Sequence, residues 1–241
     1  MLRDDFYNKV DELQQKIKDT QQENMTKAAM MIADSIATGG GWHIFDTGHL
    51  INAELMNRAG GFNLVRAFKY NLNVETKARK RDIEKETSME GLAKFALRQA
   101  NIYPNDVMVI GSVSGKTPNV IDLALTCREM GIKTIALTSV TYSRQLDCEH
   151  SSGLHLYDIA DVVIDNCAPF GDGMIKVEGI EKPFIPASGL AAAYIMWSIT
   201  ADVLDNLLAK GLTPGILGSV NKPDNRQYNI DLEKTYLEDG I

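Results

Sequence analysis

Residues 107–120 read Val-Met-Val-Ile-Gly-Ser-Val-Ser-Gly-Lys-Thr-Pro-Asn-Val. The apolar run 107–110 has the length of a buried strand and stops at Gly111. Small hydroxyl residues follow, and Thr117-Pro118 is an N-cap followed by the proline of a first helical turn. A helix predicted over 120–129 then turns its positive end toward the loop. The hydroxyls of Ser112, Ser114 and Thr117 join backbone N–H groups around Gly115 and Lys116 at that end, an arrangement that binds phosphate. Capping a helix requires fewer hydroxyls than this. Lys116 either adds its charge to the site or points into solvent.

Outward from this stretch, short apolar runs alternate with helical patterns. Phe6, Val10, Leu13, Ile17, Met25, Ala28, Ala29, Ile32 and Ile36 keep helical spacing, so one or two long helices open the chain. Strands are predicted at 42–45, 64–68, 107–110, 134–138 and 162–165. Helices are predicted at about 50–59, at 89–100 behind a Ser88 cap, and at 190–208. Gly131 suits the C′ position of helix 120–129. Residues 75–87 are densely charged with both signs and read as a solvated face. Residues 139–156 read as a polar loop with a short helix, 166–187 as irregular, and the tail from Gly211 as loop-rich.

This alternation predicts an α/β fold, a three-layer αβα sandwich around a five-stranded parallel sheet with an N-terminal helical extension. Right-handed crossovers make 2-1-3-4-5 the simplest strand order. The reversal then falls between strands 1 and 3, so loops 46–50 and 112–117 border one crevice. Residues 1–38 are expected to pack on 39–241 as a single domain.

Composition narrows the function. The net charge of −7 argues against nucleic acid as the general partner, because phosphate backbones need a basic face. The three cysteines have no CxxC spacing, which points to reduced thiols and no metal site. No signal-peptide pattern and no run near the roughly 20 apolar residues of a membrane span are present. A cytoplasmic protein without membrane partner or cofactor is expected.

The segments 106–123 and 131–139 resemble the sugar isomerase (SIS) domain, with its Ser-x-Ser-Gly-x-Thr loop and Val-Ile-Ala-Leu-Thr-Ser-like strand. The resemblance extends over about residues 35–210. A closer similarity is to a branch whose members are described by the domain alone or as phosphoheptose isomerases. It is carried by Thr47-Gly48-His49, Ala53-Glu54-Leu55, Arg58-Ala59-Gly60-Gly61, Glu90-Gly91-Leu92-Ala93, His150-Ser151-Ser152-Gly153 and Ser219-Val220-Asn221. The resemblance implies phosphosugar binding and a homodimer or larger assembly. Two departures stand out: Asp46-Thr47-Gly48-His49-Leu50 replaces the common Gly-x-Gly-x-Ser, and helix 190–208 lacks the histidine of phosphoheptose isomerases.

These readings make a sugar-phosphate isomerase the leading expectation, with phosphate on Ser112, Ser114, Gly115, Lys116 and Thr117. Glu54, in its Ala-Glu-Leu context, resembles the catalytic glutamate position of phosphoheptose isomerases and would move the proton next to the carbonyl. His49 and His150 would assist ring opening. Gly48, Ser188, Ser219 and Asn221 are candidate substrate contacts, and Ser188 also suits a helix cap. A non-catalytic phosphosugar sensor and a sugar-phosphate lyase or etherase are the alternatives. A P-loop hydrolase is rejected, because only three residues separate Gly111 from Gly115-Lys116 where that loop needs four.

Overall fold

The structure, a computed structural model, describes residues 1–48, 51–84 and 88–241. The opening apolar stripe forms one unbroken helix, α1 (Leu2–Ala37), which buries Leu13, Ile17, Ala28, Ile32 and Ile36 along one face. The sheet contains β1 (Trp42–Asp46), β2 (Val65–Ala67), β3 (Val107–Gly111), β4 (Lys133–Thr138) and β5 (Val162–Asp165). All are parallel, in the order β2-β1-β3-β4-β5 expected from the sequence. Connecting helices are α2 (Asn52–Leu55), α3 (Leu92–Gln99), α4 (Pro118–Glu129), α5 (Val140–Ser143), α6 (Leu156–Ile159) and α7 (Ser188–Ala209).

Side-chain alternation divides the core into two layers. Trp42, Ile44, Val107, Val109, Ile135 and Leu137 meet α1 and α7 on one face. Phe45, Met108, Ile110 and Ala136 meet α3, α4 and α6 on the other. Both faces are covered, which is why the strands read as apolar runs without polar alternation. Each large side chain buried this way contributes about 1.5–3 kcal/mol.

Beneath the sheet a buried carboxylate ties the strand entrances together. Asp106 accepts hydrogen bonds from Gly41 N (2.8 Å), Tyr103 N (3.0 Å) and the paired His43 Nε2 (2.9 Å). Burial works to raise its pKa, but these hydrogen bonds outweigh burial and hold the carboxyl below its ordinary value. Cys127 is buried in the α4 layer, and burial, helped by the charge of Asp161, pushes its thiol up to about 12. A thiol that rarely ionises is a poor nucleophile.

Several expected elements differ. Among the described residues of the expected helix 50–59, only Asn52–Leu55 is helical. Past it, Gly60 N donates to Leu217 O, Leu217 N to Gly61 O and Asn63 N to Gly215 O, so the tail takes this backbone from the helix. Ser88 does not cap α3, whose N-cap is Gly91 at φ +90°. The carboxylate of Asp122 on α4 does the capping, accepting Gly91 N at 2.9 Å and Ala93 N at 2.8 Å. The irregular 166–187 region contains an antiparallel pair, β6 (Gly173–Ile175) with β7 (Phe184–Pro186). The tail is not all loop, since α8 (Asn225–Asp239) closes the chain. No helix among the described residues is long and apolar enough to cross a membrane.

Candidate functional site

The loop after β3 is fixed by its own turn and by the segments beside it. Ser112 donates its backbone N–H to Leu137 O (3.0 Å), which extends the ladder by one residue. Its hydroxyl oxygen accepts Gly115 N–H (3.2 Å) and closes the turn. Gly115 sits at φ +54°, where a Cβ would come within 3.0 Å of Thr138 Oγ1 and 3.1 Å of Leu156 Cβ. Residues 149–156 brace the loop from outside, with Leu156 N on Gly115 O (2.8 Å) and Glu149 N on Lys116 O (3.0 Å). The Lys116 ammonium is paired with Glu149.

Thr117 is the N-cap residue of α4, as expected, yet its hydroxyl makes no cap bond. It donates to Asn119 Oδ1 at 2.8 Å. The helix end therefore keeps its partial positive charge for whatever occupies the space in front of it. That space is a cavity of about 570 Å3 lined by Ser112, Val113, Ser114, Thr117 and Asn119. Thr47 and Gly48, from the loop after β1, line it too, as the strand reversal predicted. Thr47 N donates to Gly111 O at 3.1 Å, which fastens the two loops.

The remaining lining comes from Tyr142, Asp172 and Ser188. The Asp172 carboxylate accepts Ser188 N (2.8 Å), Ser188 Oγ (2.8 Å) and Ala187 N (3.1 Å). It caps α7, and Ser188 is its hydroxyl donor. Sequence reasoning missed Asp172, Tyr142 and Asn119. Gly171-Asp172-Gly173 was a usable signal for the first, with Asp172 itself at φ +65°.

Other candidates stand apart from this cavity. Glu54 accepts from Arg58 Nη1 (2.7 Å) and Trp197 Nε1 (3.2 Å) and does not line it. His150 holds Ser152 Oγ at 2.9 Å on Nδ1 and has Nε2 3.6 Å from Glu90. Hydrogen bonds from the Ser151 hydroxyl and N–H hold the Glu90 carboxyl below its ordinary value. Ser219 offers its carbonyl to Asn225 Nδ2 (3.0 Å), and Asn221 is exposed; neither lines the cavity. His49 lies outside the described residues. Among the described residues, no three His, Cys, Asp or Glu side chains cluster to hold a metal.

A family model described as the SIS domain matches residues 5–139, more than half of the chain. The chain belongs to the SIS-domain family. A UPF0309 protein of Geobacillus kaustophilus is 31% identical over 237 residues, covering 97% of this chain and 93% of that protein. One from Streptomyces griseus is 30% identical over 236 residues, covering 95% and 92%. Among solved structures, a phosphoheptose isomerase from Neisseria gonorrhoeae superposes with a TM-score of 0.52 at 15% identity. That match covers 84% of this SIS-domain chain and 99% of the other, and establishes likeness of fold.

Proposed function

We propose that this SIS-domain protein binds a phosphorylated sugar and interconverts its aldose and ketose forms. The observation that carries the binding half is the α4 N-terminus, left without a side-chain cap and set among Ser112, Ser114 and Thr117 at the cavity. A phosphate there accepts hydroxyl and amide hydrogen bonds and meets the positive end of the helix dipole. Gly115 shapes the loop, and Lys116 adds charge once it leaves Glu149. In this reading Glu54 removes the proton next to the carbonyl through an enediol, while His49 and His150 serve ring opening. Ser188 and Gly48 contact the sugar, and Ser219 with Asn221 closes over it. A homodimer or larger assembly belongs to the same proposal.

One observation favours a second reading, a phosphosugar sensor without catalysis. Both oxygens of Glu54 and both of Asp172 are engaged by protein donors. A single experiment separates the readings. The protein is incubated in deuterated water with aldose phosphates that stabilise it in a thermal-shift screen. Deuterium entering C2, and lost in Glu54→Gln, supports the isomerase. Stabilisation without exchange supports the sensor. No stabilisation by any sugar phosphate removes both.

A further inference from the structure

We propose that the ligand is longer than one phosphorylated ring: a disaccharide monophosphate whose second ring lies in a chamber next to the phosphate cavity. This rests on the phosphosugar reading above and narrows its substrate class. The second chamber holds about 510 Å3 and shares Thr47, Gly48 and Asn119 with the first. A ligand anchored by its phosphate at 112–117 can therefore continue across those residues without leaving the protein surface. Either chamber alone falls within the about 300–1,000 Å3 that takes a whole small ligand. A monosaccharide phosphate occupies the first and leaves the second to another body.

The chemistry of the second chamber selects a sugar ring. Its apolar wall is the cluster of Phe45, Phe68 and Tyr70, with Tyr70 stacked on Phe45 at 5.6 Å between ring centres. Phe45 and Phe68 are buried, so the ring presented is the half-buried Tyr70. Tyr70 is held in place, since its hydroxyl donates to Asn119 O at 3.3 Å. Around this wall stand Lys69, Asn71 and Asn119, which donate and accept hydrogen bonds. A single accessible aromatic ring with polar groups around it complements a pyranose, which has an apolar C–H face and hydroxyls at its edge. A nucleobase fits less well, because no second exposed aromatic face is present among the described lining residues to sandwich it.

The test is calorimetric titration of the full chain with glucose 6-phosphate, with cellobiose, maltose and lactose each carrying the phosphate on O6 of the reducing glucose, and with adenosine 5′-monophosphate. The expected result is at least one disaccharide phosphate binding tenfold or more tightly than glucose 6-phosphate. Asn71→Trp, which places bulk at the exposed rim of the second chamber, should bring that ratio close to one. A melting curve checks that the variant is folded. The inference is overturned if glucose 6-phosphate binds as tightly as every disaccharide phosphate, or if adenosine monophosphate binds more tightly than all of them. It is also overturned if a folded Asn71→Trp keeps the ratio. Absence of binding by every sugar phosphate removes the phosphosugar reading as well, which tells the two failures apart.

Discussion

Ser112 gives its backbone N–H to β4 and a lone pair to Gly115, which leaves its O–H as a donor toward the cavity. Ser114 lines the same cavity. Ser112→Ala with Ser114→Ala should therefore abolish thermal stabilisation by a sugar phosphate; for the parent protein this is about 2.7 kcal/mol at a hundredfold excess over Kd. Asp106 makes a separate prediction. Its folded pKa is depressed, so its contribution to stability is whole above the unfolded value near 3.8 and is lost as pH falls through the lower folded value. Asp106→Asn should cost about 1–3 kcal/mol at neutral pH, by loss of charge-assisted hydrogen bonds. Urea denaturation of both proteins should show that gap closing in strong acid. At this scale the hydroxyls of 112–117 were legible because their types crowd one turn. Asp122 as the cap of α3 was not, since the capped N–H groups belong to residues about thirty positions earlier.

Among the elements, α8 shows why an amphipathic pattern was not there to be read. None of its residues is buried. Tyr236 packs at the edge of the core, and Arg66 of β2 reaches Glu233 at 2.9 and 3.2 Å and lies 3.7 Å from the Tyr236 ring. Arg66→Ala should free α8, and hydrogen exchange should report rapid labelling of 225–239 while β3 and β4 stay protected. The phosphate loop is the opposite case, because its glycine announced a turn. Gly115→Ala places a Cβ at positive φ against Thr138 and Leu156, which should cost about 1–3 kcal/mol. Thermal melting measures that cost, and phosphosugar affinity should fall with it.

For the whole molecule, the proposed homodimer predicts twice the 26.6 kDa chain mass in light scattering, and a monomer would remove that part of the proposal. The strand order and the crevice between the loops after β1 and β3 were determined by the sequence. Apolar runs buried on both faces demand helical crossovers, and crossover handedness leaves few orders. The hydroxyl-rich turn ahead of a proline-started helix was determined locally in the same way. What surrounds that turn was decided only by tertiary structure. Asp172 reaches the cavity because it caps a helix that begins sixteen residues later, with Ser188. Glu54 is turned to Arg58 and Trp197, and helix 50–59 is cut short where the tail pairs with residues 60–63. Periodicity and composition act over a few turns of chain. Hydrogen bonds between distant segments depend on where the packed layers bring those segments, and no local pattern encodes that.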